Sequence, residues 1–278
     1  MKDPDIISRQ KAVKLIRDIN RMDLKTADYE YIKEIVILLT NAHFIGGHID
    51  SDNRKLFRAN IVKEGKPANA TRLSYPPVSL IDDYQRCKSP RNPVFYCATD
   101  KVTACWEIHA EVGDIVYISN WSVIHPFYCH LSKPVKNFSN VSDTVAKFIE
   151  NKFTEAIDGS LNYRYKVAAA ISEVLTDPNI LMTGFEDDAS HYGLRSIQYP
   201  SVANVNRSHC YALSTEVADN CLRLDYVQEV VLVAVHDRTI EFDVKDESSN
   251  ILSDGTIVWM KREGKQINNS LNSPLPAE

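Results

Sequence analysis

Arg86, Tyr96 and Glu107 stand ten and eleven residues apart, placing a guanidinium, a phenol and a carboxylate at near-even spacing. An arginine grips anionic oxygens through a planar fork of donors. A tyrosine offers a ring to stack on and a hydroxyl to hydrogen-bond. The carboxylate is the most informative of the three. In the helix expected after Asp100, Val102, Cys105, Trp106 and His109 form one stripe, and Ala104 and Ile108 cover much of the opposite side. Glu107 then projects from a helix that is apolar nearly all round, which predicts extensive burial. A buried carboxylate has to be paired, hydrogen-bonded or protonated, because an isolated ionised one is very costly. A structural salt bridge to an arginine meets that requirement as well as a chemical role does. Taken singly, Arg86 reads as a surface residue and Tyr96 as core. As a set, a loop arginine, a strand-ending tyrosine and a glutamate on the next helix can converge in one strand–helix corner.

Other reactive residue types form no comparable set. Ser201 lacks the Gly-x-Ser-x-Gly elbow of a nucleophilic serine, and His191 or His209 would reach it only through the fold. Nine glycines include no Gly-x-Gly-x-x-Gly loop, which argues against a Rossmann-type dinucleotide site. Cysteines at 87, 97, 105, 129, 210 and 221 contain no Cys-x-x-Cys pair, so neither a zinc site nor a disulfide framework is expected. His125 with Cys129-His130 is the nearest cluster, and no His-x-x-x-His pair or carboxylate partner completes a ligand set. No metal is assigned. Unpaired, buried thiols fit a reducing cytoplasm.

Periodicity indicates the elements that must position these residues. Ser8 precedes Ala12, Val13, Ile16 and Ile19 at helical spacing, and 27–39 follows with Tyr29, Ile32, Ile35, Val36 and Leu39. Gly46-Gly47 breaks that pattern, and 57–62 reads as a first strand. The stretch 63–92, with Pro67, Tyr75-Pro76-Pro77 and Ser89-Pro90, is irregular and long enough to imply function. A strand at 93–98 leads through a Thr99 or Asp100 cap into a helix over 100–112. Residues 115–119 read as a strand, and 142–157 and 163–176 as helices, the second stopping before Asp177-Pro178. Further strands are expected at 195–199, 210–213, 226–235, 239–244 and 256–260. Helices and strands segregate rather than alternate, which predicts an α+β fold.

Composition narrows the class. The chain has 278 residues, 44% of them hydrophobic and 25% charged, as in an ordinary globular protein. No apolar run approaches the ~18–20 residues of a membrane span, and Met1-Lys2-Asp3-Pro4-Asp5 lacks the layout of a secretory signal. A net charge of −5 without a basic block argues against general nucleic-acid binding. The segment Arg86-Cys87-Lys88-Ser89-Pro90-Arg91 is a local exception, and from charge alone it reads as a solvated loop.

In their order and spacing, Arg86-Cys87-Lys88-Ser89-Pro90, Pro93-Val94-Phe95-Tyr96 and Thr103-Ala104-Cys105-Trp106-Glu107 resemble the RES domain family. That family is named for an arginine, a glutamate and a serine. Tyr199-Pro200-Ser201-Val202 looks like the serine element, after a strand carrying Gly193-Leu194-Arg195. Phe57-Arg58-Ala59 resembles the arginine-bearing first strand, and Tyr75-Pro76-Pro77 an element of longer members. The motifs are weak singly and fairly specific together, and they span about residues 55–225. Departures occur at Gln85 and Arg91, where glycines are common, at Cys87-Lys88, where Trp-Asn or Ala-Asn is, and at His209, where asparagine is.

The resemblance implies an ADP-ribosyltransferase-like fold, with mixed and antiparallel sheets and flanking helices. Residues 1–50 would then be an N-terminal helical extension, 51–262 the catalytic domain and 263–278 a flexible tail. It implies that NAD+ is consumed as a substrate, without a cofactor, by hydrolysis or phosphorolysis of the nicotinamide–ribose bond. Many relatives are cytoplasmic toxins of toxin–antitoxin pairs, blocked by an Xre-type antitoxin. Transfer of ADP-ribose to a protein is the alternative use of such a site. A non-enzymatic interaction module that has kept the fold is a second alternative. By this resemblance Glu107 would stabilise positive charge on the ribose and Ser201 would orient the glutamate or the ribose. Tyr96 would stack on or orient the nicotinamide-ribose end, and Arg86 with Arg58 would hold the pyrophosphate. The N-terminal helices can pack on the core, form a homodimer surface or receive the antitoxin.

Overall fold

The computed structural model describes residues 7–40, 47–50, 54–62, 65–132, 140–177, 195–204, 208–236, 239–259 and 268–272. Ser8 starts helix α1 (Arg9–Arg21), its side chain accepting from the Lys11 backbone N–H at 3.2 Å. Such a cap stabilises a helix by about 1 kcal/mol. Helix α2 (Tyr29–Thr40) buries Ile32, Ile35, Val36 and Leu39, the i, i+3, i+4, i+7 spacing of one helical face. These side chains join the same apolar cluster as Val102 and Cys105 of α3 (Lys101–Glu107), Val145 and Phe153 of α4 (Asn140–Thr154) and Ile171 of α5 (Lys166–Thr176). The N-terminal helices therefore share a core with the rest of the chain.

Strands β1 (Gly47–Asp50), β2 (Lys55–Ile61), β3 (Val94–Ala98), β4 (Ile115–Val123) and β5 (Phe127–Leu131) come from the first half of the chain. Strands β6 (Arg195–Pro200), β7 (His209–Ser214), β8 (Leu222–His236), β9 (Thr239–Ser248) and β10 (Asn268–Asn272) come from the second, with a short helix α6 (Thr215–Cys221) after β7. Among the described residues they form one mixed sheet in the order β1-β5-β6-β7-β3-β2-β4-β8-β9-β10. β5 and β6 run parallel, and the other neighbours run antiparallel.

The junctions are unequal. β2 matches β4 from Lys55↔Ser122 to Ile61↔Val116, and β3 matches β7 from Val94↔Ser214 to Ala98↔Cys210. β2 and β3 meet only at Phe57↔Ala98. Two well-laddered halves thus share a single pair and splay apart beyond it. The face opposite the main helices carries a second apolar cluster, with Leu56, Phe95, Trp121, Tyr211 and Val217. There Phe95 of one half packs edge-on against Trp121 of the other, ring centroids 5.1 Å apart, which ties the halves together on that side.

The α+β class expected from the sequence is what the structure has. Several boundaries differ for physical reasons. Of the strand expected over 256–260, residues 256–259 make only the isolated pairs Asn69↔Thr256 and Ile251↔Ile257, just after a turn at Gly255, and Met260 lies outside the described residues. Asn268–Asn272 lies in the segment expected to be a flexible tail, yet it pairs along β9. Short β1, β5 and α6 had no periodic signal long enough to read. All six cysteines are buried, and none is in a disulfide. Among the described residues no metal-ligating cluster occurs, and no helix is long and apolar enough to cross a membrane.

Candidate functional site

A cleft of ≈ 660 Å³ opens where β2 and β3 diverge. Arg58, Arg86, Lys88, Tyr96, Glu107 and Tyr199 are among the residues that line it. Arg58 spans the split itself. Its Nη1 donates to the Tyr96 carbonyl at 2.6 Å, so a side chain satisfies a strand carbonyl at the divergence of the ladder. The guanidinium also lies over the Phe95 ring, 5.2 Å from its centroid. Burial pulls its pKa down to about 10, which leaves it charged at neutral pH. Its Nε is buried and has no hydrogen-bond partner among the described residues.

Arg86 and Cys87 occupy the tip of a tight two-residue turn, closed by Gln85 N–H to Lys88 O at 2.9 Å and Lys88 N–H to Gln85 O at 3.2 Å. The Tyr96 hydroxyl accepts from the Cys87 N–H at 3.0 Å and fixes that tip to β3. Tyr96 was expected to meet the ligand. It lines the cleft, and its hydroxyl is committed to holding the arginine loop. Glu173 of α5 anchors the far side of the loop, accepting from Ser89 Oγ and from Asn92 Nδ2, the latter at 3.0 Å. Arg86 Nη1 donates to the carbonyl of Phe153 and, at 3.3 Å, to that of Glu155. These carbonyls end α4, where the helix dipole favours a cation. The guanidinium lies 5.6 Å from the Tyr165 ring centroid and 5.9 Å from that of Tyr199.

The basic loop is not the solvated segment that its charge predicts. Lys88 is only 6% exposed, because the turn folds its side chain into the cleft wall. Burial, and then the nearby Arg58 charge, lower its pKa. Glu107 is the one carboxylate among the lining residues, against the cations Arg58, Arg86 and Lys88. The field in the cleft is therefore positive and suited to an anion.

Helix α3 begins at Asp100, whose carboxylate accepts from the Thr103 N–H at 2.8 Å and from Thr103 Oγ1 at 2.7 Å. It ends at Glu107. The expected helix over 100–112 is thus shortened, and Glu107 is half-buried rather than deeply buried. Its side chain leaves the last helical turn at the cleft edge. Ser201, just beyond β6, donates its hydroxyl to Glu107 Oε1 at 2.5 Å. Ser201 Oγ in turn accepts from the Asn204 N–H at 2.9 Å, and Asn204 Nδ2 donates to Thr103 Oγ1 at 2.7 Å. Thr103, Ser201 and Asn204 are all buried. The circuit runs from the start of α3, across the β6–β7 connection, back to the helix end. It fixes both the hydroxyl rotor and the carboxylate. Among the described residues the contact that holds Glu107 is the Ser201 hydroxyl, and no lysine or arginine there pairs with it. The buried Cys210 thiol sits against this pair, its pKa driven well up by burial and then by the Glu107 charge.

The end of α3 explains its shortness. His109 N–H bonds to Trp106 O at 3.0 Å and Ala110 N–H to Cys105 O at 3.3 Å, the two bonds of a Schellman cap with His109 at the left-handed position. Its φ is 51°. Glycine fills such a position without strain, whereas another L-residue costs roughly 1–2 kcal/mol there. With no glycine in the segment, the stop was invisible in sequence.

The structure therefore brings Arg58, Arg86, Tyr96 and Glu107 to one cleft and sets Ser201 behind Glu107, outside the lining. Ser201 is 1% exposed and committed to the carboxylate, which disfavours a nucleophilic role. His191, weighed as its partner, lies outside the described residues. Lys88, Asn204 and His109 were not read as site residues. Compared with models of known protein families and with curated proteins, the chain matches none.

Proposed function

We propose that the chain cleaves NAD+ at the nicotinamide–ribose bond, as a hydrolase or phosphorylase of ADP-ribosyltransferase-like fold. The observation that carries this reading is a carboxylate oriented by Ser201 within a cleft whose lining also includes the cations Arg58, Arg86 and Lys88. Nicotinamide leaves a pyridinium as a neutral molecule, so the reaction needs no strong general acid. What it needs is stabilisation of positive charge on the ribose, as in glycoside hydrolysis. A carboxylate fixed before the reaction starts supplies that without reorganising. The three cations suit a pyrophosphate. Arg91 adds a further point of agreement with the RES pattern. It has φ 67°, in the left-handed region, at a place where that pattern carries glycine.

In this reading the chain acts in the cytoplasm as the toxin of a toxin–antitoxin pair, and an Xre-type partner would close the cleft. Incubation with NAD+ labelled in its adenine half tests the chemistry. Free nicotinamide with labelled ADP-ribose, or its phosphate, is expected. Label retained on protein would make the chain a transferase. Unchanged NAD+ would leave an interaction module that has kept the fold.

A further inference from the structure

Among the described residues only Arg91 and His109 hold positive φ without being glycine, at 67° and 51°. Arg91 does not line the cleft, whereas His109 does, two residues beyond Glu107. The backbone bonds at this cap use only N–H groups that glycine would present equally well. Packing does not account for the histidine either. It is exposed, and among the described residues no hydrogen bond or ion pair engages its imidazole. A side chain is thus kept against a backbone preference at the rim of the cleft, the kind of place where strain accompanies function.

We propose that His109 is a catalytic residue that receives the second substrate, the oxygen nucleophile that replaces nicotinamide. The proposal rests on the NAD+-cleaving reading above. Three cations on the β2 side and the Arg86 loop suit the phosphates, which leaves the reacting sugar to the Glu107 end. Glu107 already accepts a hydrogen bond from the Ser201 hydroxyl, and in this reading it faces developing positive charge. Taking up a proton would neutralise it as that charge forms. A neutral imidazole beside it can accept a proton without that loss. In hydrolysis, the water oxygen bonds to the ribose anomeric carbon and its proton passes to an imidazole nitrogen. The C–N bond breaks, and its electron pair stays on the nicotinamide ring nitrogen, which leaves uncharged. With inorganic phosphate as acceptor no proton has to be removed, and an imidazole N–H holds a phosphate oxygen instead.

The test compares the full chain with its His109→Gly and His109→Asn variants, each given NAD+ with and without inorganic phosphate. Asparagine tolerates the left-handed backbone but cannot serve as a base. The glycine variant should melt about 1–3 °C higher, since strain is released. Both variants should release nicotinamide about 10²-fold more slowly, with KM for NAD+ unchanged within about twofold and an altered ratio of phosphate to water products. Variants with the parent's turnover and product ratio would overturn the role of His109 and leave the NAD+ reading standing. So would a glycine variant that melts lower, because the histidine would then be structural. A parent chain that releases no nicotinamide overturns both readings.

Discussion

The Ser201 hydroxyl, 1% exposed, donates to Glu107 Oε1 across 2.5 Å while its own oxygen accepts from the Asn204 N–H at 2.9 Å. A hydroxyl held from both sides orients the carboxylate and does not itself reach the cleft. The two residues should therefore fail differently. Glu107→Gln should lower kcat for nicotinamide release by about 10²-fold or more, as for loss of a transition-state electrostatic contact. Ser201→Ala should lower kcat about tenfold, the size of one net hydrogen bond, with KM unchanged. A serine variant as damaged as the glutamate variant would show that Ser201 meets the substrate directly.

Arg86 has a double attachment: to the carbonyls that end α4, and to the rings of Tyr165 and Tyr199. Its planar fork suits both tasks, and an ammonium would match neither geometry. Arg86→Lys is therefore expected to raise KM for NAD+ roughly tenfold with little change in kcat, as loss of uniform binding does. Steady-state kinetics on the purified variant decide it. An unchanged KM would remove Arg86 from the ligand.

Much of this site could be read before the structure because its residues come from a short, ordered run. Arg86, Tyr96 and Glu107 fall on a turn, a strand and a helix that follow one another directly, so sequence spacing translates into space. Ser201 was legible only through its resemblance to a known pattern, since 94 residues separate it from Glu107. Asn204 and Lys88 were not legible at all. Asn204 acts through a backbone N–H and a side-chain bond to Thr103, which no spacing rule reports. Lys88 looked solvated because charge patterning cannot tell which way a two-residue turn aims its closing residue. The split between β2 and β3 was equally hidden. β2 reads as an ordinary strand and β3 as a short apolar run, and it is their shared register, a single pair, that opens the cleft.

Lys88 and Arg58 are two desolvated cations lining one cleft, and the Arg58 charge helps to lower the Lys88 pKa. An anion placed there would relieve that repulsion. ADP, which carries the pyrophosphate without nicotinamide, should raise the melting midpoint. At a concentration about 100 times its Kd the stabilisation should be about 2.7 kcal/mol. Lys88→Met keeps the length of the side chain and removes the charge. It should melt at or above the parent without ligand and gain much less from ADP. Differential scanning fluorimetry checks both. Equal ADP shifts in the two proteins would place the phosphates elsewhere.

His130 lies fully buried on β5, away from the cleft lining, and burial, then the Arg195 charge, pull its imidazole down to about 3. In the unfolded chain a histidine titrates near about 6.5. Between about pH 3 and 6.5 the unfolded chain therefore binds a proton that the native chain does not. The sign follows directly: native stability falls as pH drops through this window, by about 1.4 kcal/mol per unit once well below 6.5, and the group adds no slope above it. His130→Phe retains an aromatic ring beside Tyr128, 4.8 Å away in the parent, and cannot titrate. Urea unfolding from pH 4 to 7 should show a shallower acid limb in this variant, whatever its absolute stability. The carboxylates contribute alike to both proteins, so the difference between the two slopes isolates His130. Identical slopes would mean that the native protein protonates this histidine as readily as the unfolded chain does.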